Sequence, residues 1–464
     1  MQVIAPRSVA KIPQSIHIAE RLVALDYAAL PAEVVANAKT LLLDTLAVAW
    51  AAQNASGMQA ALRVALADGG AERSHLWGGD HRVPPAAAAF YNGSLAAALD
   101  FDSLHENSGV HADAVVIPAA LAAAEAVHAD GRSFLAAYVA GAELMFRIGR
   151  ATESTTGWFR TATYGVFGAA AAAGKLFGLD ADKLQSALGL ALGQAAGTQQ
   201  GHIERKLSKR VQSALSARAG VFSAQLAEQG ISGPEHPFDG QFGLFALYDA
   251  GNPSEAFADL GTNFLLPLTV LKKFPSCGCT HASIEAALHL VQQHEEITPE
   301  AIEAVEVLIT PYQNRLVGGA FTTEGDAEVT GQFCVQYTVA ATLAKRRFTP
   351  AEIEPAAVLD PALRPLLDKV RVRIDEDSPG RMTPSTVTVQ LKDDRRFLNR
   401  VEALPGSLAL PLSREEVRAK ARASLQHGEA GLSTHAADSL IERIDNLEQV
   451  KDLSRLFDGL TAVR

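Results

Sequence analysis

The sequence predicts a mainly α protein, in which a large all-helical domain is interrupted by a smaller inserted α/β domain. Three observations indicate this. Apolar runs with helical spacing fill the chain to about residue 265, apolar residues then alternate with others up to about residue 400, and a new helix start signal follows. We therefore assign residues 1–266 and 405–464 to the helical domain and residues 267–404 to the α/β domain.

The first part of the chain has the pattern of helices buried among other helices. Ile18, Leu22 and Leu25 recur at helical spacing, and Pro31 stands at a favourable first position before the run Ala32–Ala51. Further helices are predicted at residues 134–147, 165–176, 181–196 and 213–228. Their many alanines permit close packing of helix axes, which is typical of core helices.

The second part of the chain alternates between strand and helix signals. Apolar residues recur at every second position in three segments, which is the pattern of half-buried strands. These strands are predicted at residues 305–309, 370–374 and 387–391. Helices are predicted between them at residues 281–293 and 333–344. After Pro405 the alternation stops, and Ser413 with Glu416 forms a capping-box pattern that opens a C-terminal helix.

Composition limits the classes of function. The 464 residues carry 41 basic and 52 acidic side chains, a net charge of −11, which argues against binding to nucleic acid or to an anionic membrane. The 3 cysteines are too few for a disulfide framework, and the first residues lack the hydrophobic core of a signal peptide. The sequence therefore predicts a cytoplasmic protein, in which a small anionic substrate would need a local basic pocket.

A short polar loop, residues 99–111, separates two alanine-rich helical runs and concentrates ionisable side chains. Asp100, Asp102, His105 and His111 lie where the chain leaves one buried helix and enters the next. Ionised groups in such a place either pair with each other or take part in chemistry. We predict chemistry. The plainer alternatives are that Asp102 caps a helix or holds a lysine, and that His105 is an ordinary helix-end histidine.

Two basic segments are the candidates for holding substrate carboxylates. Residues 205–210 place four cations directly before an alanine-rich run, and Lys272 and Lys273 form a second pair. Clusters of this kind are usually solvated faces. In an acidic protein they are also the best local candidates for an anion site, and both interpretations stay open.

Two other motifs suggest ligands on first inspection. Residues 168–175 resemble a phosphate-binding loop, but the spacing is one residue too long and Leu176 replaces the required Ser or Thr. We interpret them as a helix-packing surface. Cys277, Cys279 and His281 hint at a metal site, but no second pair of ligands follows at a zinc-site spacing, and no metal is predicted.

A series of short motifs follows in order along the chain. They are Leu30-Pro-Ala-Glu-Val34, Leu43-Asp-Thr-Leu46, Ala88-Ala-Phe-Tyr-Asn-Gly93, Leu99-Asp-Phe-Asp102, Gly165-Val-Phe-Gly168, Gly174-Lys-Leu-Phe-Gly178, Ile231-Ser-Gly-Pro234 and Phe274-Pro-Ser-Cys277 with Thr280-His281. In order and spacing the series resembles the MmgE/PrpD family, which includes 2-methylcitrate dehydratase, cis-aconitate decarboxylase and iminodisuccinate epimerase. The resemblance extends from about residue 18 to about residue 420.

The resemblance implies a mostly helical domain carrying a smaller α/β lid, a homodimer, and an active site between the two domains. It also implies small di- or tricarboxylate substrates and neither a metal nor an organic cofactor. The active-site positions of the family fall on Asp100, His111, Lys209 and Lys272.

The chain departs from the family pattern at several of these positions. Ser103 stands near the place of an active-site Thr, whose hydroxyl is lost unless Ser103 replaces it. A second active-site His of the lyases is replaced by Phe159, and the Pro after it by Arg160. Tyr164 stands where a small residue or His is common, and Gln212 replaces the last residue of a Lys-Arg-Leu-His motif. These departures weaken the hypothesis that the chain has one of the family's lyase activities.

The chemistry implied by the resemblance is removal of a proton next to a carboxylate. Cationic side chains neutralise the charge that develops there, and His111, oriented by Asp100, would serve as the base. Our leading hypothesis is epimerisation of an amino-dicarboxylate such as iminodisuccinate, with His111 or Lys209 on one face of the substrate and Tyr164 on the other. Asp100 completes the predicted catalytic set. The predicted substrate-binding residues are Lys272, Arg160, His105, Ser103 and His281.

Two alternatives stay open. A lyase of the same family, of the 2-methylcitrate dehydratase or cis-aconitate decarboxylase type, would need Ser103 or His105 in place of the missing acid. A noncatalytic dimer that binds carboxylates would use Asp100 and His111 only as a buried structural pair.

Overall fold

A computed structural model describes residues 14–67, 69–152, 157–252 and 256–460 of the chain. Helices dominate it, as predicted, and the longer strands form one small sheet in the second part. The helices of the first part are α1 Gln14–Ala24, α2 Ala32–Ala51, α3 Met58–Ala67, α4 Pro85–Ala98, α5 Asp113–Ala126, α6 Gly131–Ala151, α7 Arg160–Leu176, α8 Ala181–Leu192, α9 Gln200–Ile203, α10 Ser208–Glu228 and α11 Leu244–Leu247.

The remaining elements follow in the second part of the chain. The helices there are α12 Gly278–Gln293, α13 Pro311–Val317, α14 Ala327–Gln332, α15 Val335–Lys345, α16 Pro355–Val358, α17 Arg364–Leu367, α18 Arg414–Leu425 and α19 Thr434–Asp445. The strands are β1 Ser74–His75 and β2 Arg82–Val83 in the first part, then β3 Ile302–Ile309, β4 Val370–Ile374, β5 Ser385–Leu391 and β6 Arg396–Val401.

Helix α10 lies at the centre of the helical part and packs against α4 and α7. Glycines allow the helices to approach closely. A Cβ on Gly168 of α7 would lie 2.8 Å from the carbonyl oxygen of Gly141, and a Cβ on Gly220 of α10 would lie 2.4 Å from the Cβ of Ala169. Any larger residue at these positions would push the helices apart. Residues 168–175 are therefore a packing surface inside α7, as interpreted from the sequence, and not a phosphate loop.

Two helix starts differ from the sequence prediction in a way that matters for the site. Helix α7 begins at Arg160 and α10 at Ser208, both earlier than the apolar periodicity indicated. The first turn of each helix is polar, so its residues do not contribute to an apolar pattern. Lys209 consequently lies in the first turn of α10, where its side chain is buried.

The sheet has the order β4-β3-β5-β6, with β3 and β4 parallel and the other neighbours antiparallel. Val307 of β3 pairs with Val372 of β4 and with Val387 of β5, so the three predicted strands are confirmed and adjacent. Helix α12 packs against β5 and β6. Edge strand β6 was not predicted, because only Val401 at its end is fully buried and its other residues show no strong apolar alternation.

The C-terminal helices pack back onto the first part of the chain. Ser413 caps α18 through the predicted capping box with Glu416, and α18 packs against α2. Lys420 of α18 lies 2.7 Å from the carboxylate of Asp44 in α2, and both side chains are buried. This packing supports the predicted assignment of residues 405–464 to the helical domain, which stays a prediction together with the boundary at residue 267.

Helix α2 is, among the described helices, the one that is long and apolar enough by composition to cross a membrane. Its most apolar window is 78% buried inside the fold. This is the burial of a core helix, and the Asp44–Lys420 ion pair lies within it.

Candidate active site

The backbone turns sharply at Asp100, immediately after α4. Asp100 has φ 50°, in the left-handed region that only a few non-glycine residues adopt, Asp among them. Its side chain is 2% exposed. The turn presents both the carboxylate and the main-chain carbonyl of Asp100 to the same lysine: Lys272 Nζ donates to the carbonyl oxygen at 2.7 Å and to Oδ2 at 3.0 Å.

A second lysine reaches Asp100 from another direction. Lys209 Nζ donates to Oδ1 of Asp100. Burial favours the neutral carboxyl, but the charges of Lys209, Lys272 and His111 outweigh it and hold the pKa of Asp100 well below its usual range. Two ammonium groups thus share the carboxylate of Asp100, which leaves one positive charge in excess in this buried three-residue cluster, beside the Asp102–His111 pair. An anionic ligand can compensate this charge.

His111 is held by Asp102, not by Asp100 as predicted. Its Nδ1 lies 3.1 Å from Oδ2 of Asp102 and 2.9 Å from the carbonyl oxygen of Ser103. Since both neighbours are acceptors, Nδ1 carries the proton and Nε2 is left for a ligand. Burial raises the pKa of Asp102, but the interaction with His111 outweighs it, so the pKa of Asp102 is lowered and the carboxylate stays ionised. The His111 side chain is 24% exposed, so a ligand can reach it.

Ser103 supports His111 with its backbone rather than with its hydroxyl group. The hydroxyl donates to the buried carboxylate of Asp113, which also accepts a hydrogen bond from Tyr138. Burial raises the pKa of Asp113 to about 6, against the lowering effect of these two hydrogen bonds. The hydrogen bond of the Ser103 hydroxyl is therefore made to Asp113 and not to Lys209 or Lys272.

His105 and His281 are both buried, and within the described residues no hydrogen bond links either ring to Asp100 or its lysines. His105 stacks on Phe146, with ring centroids 4.4 Å apart, and its Nδ1 accepts from the N–H of Ser108. Burial lowers the pKa of His105 to about 4 and that of His281 to about 3. Both rings are neutral at neutral pH, and their predicted role as substrate ligands stays a prediction.

Tyr164 is not brought to the lysines. Its hydroxyl donates to Asp249 at 2.7 Å, and the side chain is 1% exposed. Burial raises the pKa of the phenol well above its usual value. A buried, hydrogen-bonded phenol of this kind is a poor acid or base. The prediction that Tyr164 works on one face of the substrate therefore has no geometric support.

Arg160 lies beside the loop that carries His111. A Cβ placed on Gly109 would lie 3.7 Å from a terminal nitrogen of Arg160 and 4.0 Å from one of Arg381. The second guanidinium, Arg381, comes from the segment between β4 and β5 and stacks over Tyr312 at 4.7 Å from the ring centroid. Two guanidinium groups from the two parts of the chain thus meet over one turn. Arg381 was missed because nothing in its local sequence marks it.

Of the basic segment 205–210, only part serves the site. Lys209 binds Asp100, whereas Arg210 forms a buried ion pair with Glu328 at 2.7 Å. Lys273 pairs with Glu285 at 2.8 Å, so of the second basic pair only Lys272 reaches the site. Within the described ranges, no group of three or more His, Cys, Asp or Glu residues could hold a metal ion.

The geometry brings together the four positions that the resemblance singled out: Asp100, His111, Lys209 and Lys272. The first three lie in the helical part and Lys272 lies at the beginning of the α/β part. Known family models match both parts: the MmgE/PrpD N-terminal domain matches residues 16–256 and the MmgE/PrpD C-terminal domain matches residues 274–449. The chain belongs to the MmgE/PrpD family.

Curated relatives cover nearly the whole chain. The cis-aconitate decarboxylase-like protein oryM of Aspergillus oryzae is 30% identical over 459 residues, which is 92% of this chain and 93% of the relative. Cis-aconitate decarboxylase of Aspergillus terreus is 26% identical, over 92% of this chain and 91% of the relative. Human cis-aconitate decarboxylase is 27% identical, over 91% and 89% respectively. The family consists of enzymes, so this MmgE/PrpD protein is an enzyme of the isomerase or lyase type.

Proposed function

We propose that this MmgE/PrpD protein is a lyase that decarboxylates cis-aconitate or a closely related unsaturated tricarboxylate. The observation that carries the proposal is the pair of buried lysines on Asp100, because it leaves excess positive charge beside His111 in an acidic protein. The similarity to relatives named cis-aconitate decarboxylase supports this lyase alternative over the epimerase that we predicted as the leading activity.

The reaction creates negative charge that these lysines can stabilise. The carboxymethyl arm of cis-aconitate loses its carboxylate as carbon dioxide, and the electron pair of the broken C–C bond moves through the double bond. It arrives at the vinyl carbon, whose own carboxylate shares the charge. A preorganised cation next to such a developing charge typically contributes about 10²–10³ in rate. Lys209 and Lys272 are already desolvated and fixed by Asp100, so they need little reorganisation when the charge develops.

His111 supplies the proton that completes the reaction. With Nδ1 held by Asp102 and the Ser103 carbonyl, its Nε2 is the nitrogen that can face the substrate. The imidazolium transfers a proton from Nε2 to the vinyl carbon, which forms one C–H bond and gives itaconate. The carboxylate of Asp102, 3.1 Å from Nδ1, holds the ring in the orientation needed for this transfer. One proton is consumed and one carbon dioxide is released in each turnover.

The other hypotheses have less support. The epimerase interpretation relied on Tyr164 as a second acid or base. The Tyr164 hydroxyl instead donates a hydrogen bond to Asp249, so this geometry does not support the interpretation. Epimerase activity stays a prediction. The noncatalytic carboxylate binder is not supported, because the family consists of enzymes. The homodimer also stays a proposal.

Proton NMR in deuterated buffer tests the function directly. Purified protein is incubated separately with cis-aconitate, citrate, 2-methylcitrate and iminodisuccinate. We expect itaconate from cis-aconitate, with one deuterium in its saturated methylene group, because solvent supplies the proton through His111. Unchanged cis-aconitate, together with deuterium uptake into iminodisuccinate, would overturn the lyase in favour of the epimerase.

A further inference from the structure

His202, a residue that sequence analysis did not single out, lies at the edge of the lysine cluster. It belongs to the short helix α9, and its ring packs edge-on against Phe333, with centroids 4.3 Å apart and an interplanar angle of 89°. The same Phe333 ring contacts Lys209, whose Nζ lies 5.1 Å from the ring centroid. One aromatic side chain thus contacts both His202 and the ammonium group that binds Asp100.

Two of the departures from the lyase pattern contact the segment that carries His202. Phe159, which replaces the second His of the lyases, packs against the His202 ring at a centroid distance of 6.1 Å. Gln212, which replaces another His, accepts from the N–H of Thr198 at 2.7 Å and donates to its carbonyl oxygen at 3.1 Å. A backbone hydrogen bond from the N–H of Phe159 to the carbonyl oxygen of Gly197, 3.1 Å long, adds to this attachment. The two substitutions therefore hold residues 197–203 against the site.

The His202 ring is available to a ligand. It is partly exposed, and within the described part of the chain no hydrogen bond occupies either of its ring nitrogens. Burial, and next the charge of Lys209, lower the pKa of His202 to about 3. A neutral imidazole can donate a hydrogen bond from one ring nitrogen without repelling the lysines. It would also be a poor source of the reaction proton, so it does not compete with His111 for that role.

We infer that His202 is a substrate-binding residue of this enzyme, which donates a hydrogen bond to a carboxylate of the substrate from the side where Phe159 has displaced the second histidine of the lyases. The inference rests on the proposed function for the identity of the substrate. The site for a tricarboxylate anion, however, can be tested without any turnover.

The experiment compares His202→Phe, His202→Gln and the double variant His202→Phe/Phe159→His. Turnover of cis-aconitate is followed by NMR and binding of trans-aconitate by calorimetry. We expect His202→Phe to weaken trans-aconitate binding and to lower kcat/KM by about 10- to 10²-fold, the usual effect of losing one hydrogen bond to a charged group. His202→Gln keeps a donor and should retain most of the activity. The double variant returns an imidazole to the neighbouring position and should recover at least part of the loss.

The controls separate this inference from a structural effect and from the proposed function. His17→Phe makes the same change at an exposed histidine of α1 and should leave both readouts unchanged. If His202→Phe turns over cis-aconitate and binds trans-aconitate like the unmodified enzyme, the inference is wrong. Equal losses in His202→Phe and His202→Gln, without recovery in the double variant, would also overturn it. If the unmodified enzyme does not convert cis-aconitate, the proposed function fails, and the trans-aconitate titration still decides the role of His202.

Discussion

Lys272 donates to both the main-chain carbonyl and the carboxylate of Asp100, so one ammonium group fixes the backbone turn and the charge of the site together. Asp100 needs this support, because its φ of 50° is unfavourable for a residue with a side chain. The lysine comes from the beginning of the α/β part and the aspartate from the helical part. The site therefore forms only where the two parts of the chain contact each other.

Replacing the other lysine tests the charge argument. Lys209→Met keeps much of the side-chain volume but removes the ammonium group, so that Lys272 alone faces Asp100. We expect kcat/KM for cis-aconitate to fall by about 10²–10³, since one cation next to the developing charge is lost. Lys206→Met is the matched control, because Lys206 lies in the same basic segment and is exposed. A loss of the same size in both variants would contradict the assignment of Lys209.

The residues of the site could be predicted from the sequence better than their contacts. Asp100 and His111 stood out because ionisable residues are rare between two apolar helices, and Lys209 and Lys272 because they belong to short basic segments. The partner of His111 could not be predicted. The left-handed turn at Asp100 directs its carboxylate to the lysines and leaves Asp102 to face His111, and local sequence does not encode this turn.

Long-range contacts account for the other differences. The hydroxyl of Ser103 is taken by Asp113, and that of Tyr164 by Asp249, which is far away in the sequence. Such partners depend on how helices pack, so periodicity alone cannot reveal them. In contrast, α2 and the strands β3, β4 and β5 follow from local apolar patterns and were predicted close to their observed bounds.

Asp102→Asn should separate the orientation of His111 from substrate binding. The amide removes the negative charge that fixes the Nδ1 proton, while the lysines on Asp100 remain. A correctly placed general acid contributes about 10²–10⁴ in rate, so we expect a fall of this order in kcat with little change in KM. Steady-state kinetics on cis-aconitate provides the measurement. Asp80→Asn, at an exposed position, is the control. A rise in KM at unchanged kcat would show that Asp102 acts on binding instead.

Asp113 should make stability depend on pH. Burial raises its folded pKa from 3.8 to about 6, so its contribution to stability is fully present below pH 3.8 and is lost as the pH rises through 6. Between pH 4.5 and 7.5 this loss is roughly 2 kcal/mol by linkage. The Asp113→Asn variant has no titratable group at this position, so it does not show this pH-dependent loss of stability. The free energy of unfolding of the wild type, minus that of the variant, should therefore decrease from pH 4.5 to 7.5 in chemical denaturation. A constant difference would contradict the raised pKa.

Arg381 is expected to bind the far carboxylate of the substrate together with Arg160. Both guanidinium groups approach the turn at Gly109, two residues before His111, and Arg381 is braced by Tyr312. Arg381→Gln should raise KM for cis-aconitate by about tenfold, the effect of one exposed charge-assisted hydrogen bond, with kcat nearly unchanged. Arg373→Gln, on the exposed strand β4, serves as the control. A fall in kcat without a change in KM would place Arg381 in the chemical step and not in binding.

The exposed face of α10 is the surface we propose for the homodimer. Leu215 is 49% exposed and Phe222 is 48% exposed, and the two lie two helical turns apart on the same face. A helix whose other faces are fully packed in the core gains nothing from apolar residues on its solvent side, unless a partner covers them. A second copy fits because a two-fold axis would set this face against itself. Leu215→Glu/Phe222→Glu should therefore give a monomer in sedimentation velocity. Leu359→Glu/Leu398→Glu makes the same kind of change at exposed apolar positions outside α10, and it tests whether added charge alone dissociates the dimer. A wild type that sediments as a monomer at all concentrations would remove the proposal.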